Sequence, residues 1–181
     1  MKRYIYIIWL IWTCSSCQER TSQHQHKNID RISQKLKSGD TLSILSLQNK
    51  KSNFLNYSVI LIRLSDLDKS GYRIKIITVT KNNNEKMATI VLPNSEDVKN
   101  FSISKIEQTV TGFKIIANWG GGNYFYRREF YFTNRMNEIY LDSINMNSYI
   151  HESEIQNNET KIINPPIPIN KFEILNYLNN E

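Results

Sequence analysis

The stretch GFKIIANWGGGNYFYRREFYF, residues 112–132, decides the fold. Its two arms are rich in β-branched and aromatic side chains and are joined by Trp119-Gly120-Gly121-Gly122-Asn123, so it reads as strand, turn, strand. A phosphate-cradling glycine loop opens onto a helix whose N-terminal amides supply donors. This one opens onto YFYRREFYF, which argues against nucleotide binding. The glycines are expected where a hairpin needs φ > 0 or close backbone approach. Alternation along the second arm puts Tyr124, Tyr126, Arg128, Phe130 and Phe132 on one face, and Phe125, Arg127, Glu129 and Tyr131 on the other. The first set reads as core-facing, with Arg128 its exception. Arg128 then has two readings: a half-buried pair with Glu107, Glu129 or Asp142, or a ligand-facing arginine at a recognition edge. In the second, Trp119, Tyr124 and Tyr126 form an aromatic rim around Gly120, Gly121 and Gly122, beside Arg127 and Arg128.

Outward from this hairpin, LSILSL, YSVILIRL, YRIKIITVT, MATIVL, FSISKIEQTV and EIYLDSINM have the same strand-forming composition. Most are separated by turn clusters at residues 68–71, 82–84 and 93–94. A parallel sheet would need repeated crossover helices, and no interval is long enough to supply them. The expected fold is therefore mainly β: an antiparallel meander forming a sandwich or partly open barrel, with short N-terminal and C-terminal helices. The first helix is expected between residues 28 and 39, where Ile29, Ile32 and Leu36 recur at helical spacing and Gly39 is a stop. The second follows Pro165, Pro166 and Pro168, with Asn170 as N-cap, Glu173 at N3, and Ile169 and Ile174 as a staple. Phe172, Leu175 and Leu178 make its apolar face, directed at the sheet or its open end.

Two other segments carry candidate chemistry. Asp66-Leu67-Asp68-Lys69-Ser70-Gly71 has oxygen ligands at alternate positions and a glycine for a sharp turn, the pattern of a calcium loop. The helix-loop-helix form requires a bidentate Glu at the twelfth position, which here is Ile77. The segment more closely resembles the loop-to-strand calcium turns of secreted β-propeller and FG-GAP-like repeats. Asp66, Asp68 and Ser70 are the candidate ligands, against the alternative of a plain turn; no other cofactor is indicated. His151 falls in HESEIQNNET, a polar run that reads as surface loop and lacks a helix-spaced second histidine for zinc. No serine nucleophile elbow appears, so no catalytic residue is named and an enzyme is not expected.

The opening MKRYIYIIWLIWTCSSC has a charged n-region, Lys2 and Arg3, then an apolar run over residues 4–12 of h-region length. Nine helical residues at about 1.5 Å each span roughly half of a 30 Å hydrocarbon core, too little for a permanent span. Thr13-Cys14-Ser15-Ser16-Cys17 resembles the lipobox of bacterial lipoproteins, in which small residues precede a cysteine that is diacylated and becomes the mature N-terminus. Cys17 fits that pattern; Cys14 would need bulky Trp12 beside the cleavage point. The resemblance implies a signal peptide over 1–16, a lipidated Cys17 with a polar tether over 17–27, and a single β-rich domain over 28–181 free of thiols. A random-coil tether reaches about 17 Å. His24 and His26 lie in it as solvated linker residues. The implied location is the cell envelope, lipid-anchored, at the outer membrane in preference to the inner.

The net charge of +6 falls to +4 without Lys2 and Arg3, and the basic residues are spread along the chain. That argues against a nucleic-acid footprint. The succession LPNSED, FSISKIEQTVTGFKI, GGGNYFYRREFYF, NEIYLDSI resembles a loose group of small exported bacterial β-proteins, some of them candidates for immunity or inhibitor proteins. The resemblance implies a lipid-anchored envelope protein that binds a protein partner, a secreted toxin or hydrolase, aided by mild basic charge. The alternative is a calcium-supported glycan- or polymer-binding lipoprotein. Oligomeric state is left open.

Overall fold

The computed structural model describes residues 39–47, 57–81 and 85–178. The leader, Cys14, Cys17, the tether and the helix expected before Gly39 lie outside them. The described residues form two antiparallel meanders. The first sheet has the order β1 (Gly39–Leu47), β2 (Tyr57–Leu67), β3 (Arg73–Lys81), β4 (Glu85–Val91). The second has β5 (Ser102–Gln108), β6 (Gly112–Gly121), β7 (Tyr124–Arg135), β8 (Glu138–Ile150), β9 (Ile155–Pro168). Each strand pairs with its sequence neighbour, so every connection within a sheet is a hairpin. The mainly β, antiparallel fold expected from composition is the one observed, as a sandwich and not a closed barrel.

The inner faces meet in one core. Tyr57, Val59, Leu61, Ile77, Val79 and Ile90 come from the first sheet, and Phe113, Ile115, Phe130, Phe132, Leu141 and Ile144 from the second. Tyr57 and Phe113 touch across the interface, ring centroids 5.8 Å apart; Phe113 stacks on Phe132 of the adjacent strand at 4.9 Å. Burial pushes the Tyr57 phenol up to about 12. β2 also buries Ile60 and Ile62 on its opposite face, which is why YSVILIRL reads as a continuous apolar run where β7 alternates.

Two departures from the sequence expectation concern the last thirty residues. β9 occupies most of HESEIQNNET, where a surface loop was expected, and the proline segment; only residues 151–154 form a turn. An edge strand exposed on both faces has no apolar alternation to betray it, and its pairing is supplied by β8, from Ile150↔Ile155 to Ser143↔Ile162. The C-terminal helix is two 3-10 turns, Ile169–Lys171 and Ile174–Tyr177, separated by extended Phe172 and Glu173. Asn170 caps nothing; Pro168 and Glu173 hold the cap positions without side-chain bonds. The break has a packing cause. At 3.6 residues per turn a continuous helix would set Ile174 about 140° from Ile169, on opposite sides. Interrupting it at Phe172 lets Ile169, Phe172, Ile174 and Leu178 all enter the core. Among the described residues no helix is long and apolar enough to cross a membrane.

Candidate functional site

The β6–β7 hairpin is built as its sequence suggests. Gly121 pairs with Tyr124, and Gly120, Gly121 and Gly122 all have positive φ, 114°, 147° and 66°. A Cβ on Gly120 would fall 2.2 Å from the Tyr124 carbonyl oxygen, so no other residue fits there. The Gly120 amide donates to Lys99 O and its carbonyl accepts from Asn100 Nδ2, tying the hairpin to the segment before β5. The Asn123 carbonyl accepts the His151 amide at 2.8 Å, and its side chain bonds Glu152. The turns before β7 and before β9 are thereby joined.

The expected aromatic rim divides between the two faces. Trp119, only 7% exposed, stacks on Tyr126 at 5.5 Å, and the Arg128 guanidinium lies 5.1 Å over its indole. These three sit on the inner side. Burial pulls the Arg128 pKa below its ordinary value, with the Glu159 charge acting in the opposite direction. The carboxylates expected beside Arg128 are engaged elsewhere, because strand alternation places them on the outer face. Glu107 meets Lys105 and Lys114, Glu129 meets Arg127 and Lys114, and Asp142 meets Arg135. Arg128 is therefore a packed cation on an aromatic ring, and Arg127 is the arginine of the outer surface.

That outer surface was not read from the sequence. A shallow recess of about 240 Å³ is lined by Asn118, Phe125, Arg127, Asn147, Tyr149 and Gln156, with Trp119, Tyr126 and Ser148 contributing. Register explains the grouping: Asn118↔Arg127↔Asn147 is one row across the sheet, and Gly120↔Phe125↔Tyr149↔Gln156 the next. Phe125 and Tyr149 are 48% and 38% exposed. Tyr124 and Ile155, each opposite Ile150, lie on the other face at the same end; Tyr124, expected to face the core, is 51% exposed because it stands at the end of β7, beyond the buried part of that face. Alternation had already put Phe125 and Arg127 on one face; Tyr149 and the amides required the pairing register.

Beside the recess a polar ladder crosses all five strands: Lys105 and Glu107 on β5, Lys114 on β6, Arg127, Glu129 and Tyr131 on β7, Asn145 on β8 and Thr160 on β9. Glu129 is its centre. Partial burial alone would raise its pKa, but hydrogen bonds from Arg127, Tyr131 and Lys114 outweigh that and hold it at about 2. The ladder fixes Arg127 at the margin of the recess, its Nη2 at 2.6 Å from Glu129 Oε1.

The candidate calcium ligands organise a turn. Asp68 Oδ1 accepts the Ser70 and Tyr72 amides at 3.0 and 2.8 Å, and Oδ2 accepts Asn94 Nδ2 at 2.7 Å. These bonds, that from Asn94 foremost, hold its carboxyl below the usual range. Ser70 directs its hydroxyl to Glu96, while exposed Asp66 stands at the end of β2. Among the described residues no group of three or more His, Cys, Asp or Glu side chains is placed to hold a metal ion. Asp68→Ala is therefore expected to lower the melting temperature equally with millimolar Ca²⁺ and with chelator. Stabilisation by Ca²⁺ that the variant loses would instead support the calcium reading. A nearby cleft of about 390 Å³ exposes Arg63, Arg73 and Lys75; both arginines already bond Asp40, at 3.0 and 3.2 Å. No protein-family model, curated protein or solved structure matches this chain.

Proposed function

We propose that the chain is a lipid-anchored protein of the cell envelope that acts by binding, anchored through Cys17, with the outer face around Phe125, Arg127 and Tyr149 as its contact surface. The observation that carries this reading is the exposed pair Phe125 and Tyr149, directly opposite each other beside Arg127 on the outer face at one end of the second sheet. Aromatic residues and arginine are the side chains that dominate binding energy at protein interfaces. Contiguous exposed apolar surface marks interaction sites. The recess is shallower and smaller than the 300–1,000 Å³ typical of sites that enclose a small molecule, which favours a broad partner laid across the sheet. A secreted toxin or hydrolase, occluded when bound, is the partner class.

A second reading has its own support. The amides of Asn118, Asn147 and Gln156 flank the Phe125 and Tyr149 rings, and rings bordered by amides also suit an extended glycan. One experiment separates the two. The tagged full chain and its Phe125→Ala/Tyr149→Ala variant are incubated with envelope extract, and captured protein and polysaccharide are both quantified. A single stoichiometric protein, retained by the parent chain and lost with the variant, supports the first reading. Polysaccharide enrichment lost with the variant selects the second. Equal capture by both chains places the contact surface elsewhere.

A further inference from the structure

The edges of the two sheets are not treated alike. β1 lies against β5, and the first C-terminal turn seats against β4 and β8. Among the described residues the first half of β9 has no such cover. Residues 155–162 are all exposed, and among the described residues β9 pairs with β8 alone. Its outer ladder thus presents backbone donors and acceptors to solvent, an arrangement that readily accepts another strand. Proline first appears in β9 at Pro165, and its pairing with β8 runs without a bulge from Ile155 to Ile162. The segment is a regular strand edge.

We propose that two copies of the chain pair antiparallel along these edges, about a two-fold axis at Thr160, joining their five-stranded sheets into one. A two-fold axis perpendicular to the sheet keeps each side chain on its own face, so opposed residues must share strand parity. Centred on Glu159, it would set two carboxylates against each other. Centred on Asn158, it would set Glu159 opposite an asparagine and Lys161 opposite an isoleucine. Centred on Thr160, it sets Glu159 opposite Lys161 of the partner subunit, and by symmetry the reverse. Thr160 then meets its own copy on the axis. Opposite charges and Thr–Thr pairs are favourable across antiparallel strands, whereas like charges directly opposed are destabilising. The charges on this edge therefore select one register of self-association. Gln156, at the border of the recess, lies four residues from the axis, so the two recesses stand about 26 Å apart along the shared outer face. Resting on the contact surface proposed above, that spacing makes the pair bivalent toward an extended partner.

Sedimentation velocity of the full chain in non-ionic detergent tests the pairing without reference to any partner. A reversible dimer is expected in the micromolar range. Lys161→Glu surrounds the axis with carboxylates and is expected to weaken self-association at least about tenfold. Glu159→Lys/Lys161→Glu exchanges the charges and is expected to regain it. Because Glu159 also faces the Arg128 charge, the exposed Lys161→Glu change is the decisive variant. A chain that stays monomeric throughout, or a dimer that Lys161→Glu leaves intact, overturns the proposal.

Discussion

Phe172→Ala is expected to lower the unfolding free energy by about 3–5 kcal/mol, the cost of emptying a buried phenylalanine site. Phe172 is 4% exposed and stands between β7 and the last 3-10 turn. Its ring meets Phe130 at 5.4 Å and Phe132 at 5.2 Å edge-on, and stacks on Tyr177 at 5.5 Å. Because this segment is two short 3-10 turns joined by extended residues, it has no continuous α-helical hydrogen-bond ladder to keep it in place. Side-chain burial by Ile169, Phe172, Ile174 and Leu178 holds it against the sandwich. Losing the central ring therefore empties a site and loosens the segment's hold on β7. Urea unfolding followed by circular dichroism measures the loss. Leu175→Ala, at a site 42% exposed in the same segment, is the matched control and is expected to cost about 0.5 kcal/mol or less. Equal costs for the two would mean that the segment is not seated as described.

The second large effect is on acid stability and centres on Glu129. Its folded pKa of about 2 lies below the ordinary 4.5. A carboxylate with a depressed folded pKa contributes stability that is complete above the unfolded value and lost as pH falls through the folded one. The window is therefore pH 4.5 down to 2. With the side chain 12% exposed, the contribution is on the order of 2–3 kcal/mol. Glu129→Gln is expected to be less stable than the parent at neutral pH, because Lys114 and Arg127 lose the carboxylate they share. The gap between the two chains should close as pH falls from 4.5 to 2. Denaturant unfolding at stepped pH provides the measurement, and a gap independent of pH would show that Glu129 is not the titrating group. Since Glu129 also holds Arg127 at the margin of the recess, the variant links the sheet's stability to the proposed contact surface.

How legible the molecule was in its sequence can be followed along β7. Alternation put Phe130 and Phe132 in the core and Arg127 and Glu129 outside, and the structure has them there. The three glycines between two strand-forming arms imply a hairpin, and their positive φ angles place them in one. Arg128 was identified as the exception on its face, but its neighbour was not legible. Trp119, on the adjacent strand, receives its guanidinium only because β6 and β7 pair Ala117↔Arg128 and Trp119↔Tyr126. β9 escaped detection because a solvent-exposed edge carries no apolar period, and the C-terminal capping box misled because burial demands overrode local helix preference.

What the sequence determined by itself is therefore everything governed by residues near one another along the chain. That covers the strand segments before β9, the two faces of β7 from Tyr126 to Phe132, the turn at Gly120–Gly122 and the antiparallel class. Period-two alternation and turn stereochemistry are local physics, readable without a partner strand. The tertiary structure decided what depends on register between strands: the recess that unites Phe125 with Tyr149, the ladder that holds Glu129 ionised, the edge of β9 that no described strand pairs with, and the break at Phe172. Each arises from residues brought together by pairing or by competition for the core, and those are energies that no single segment contains.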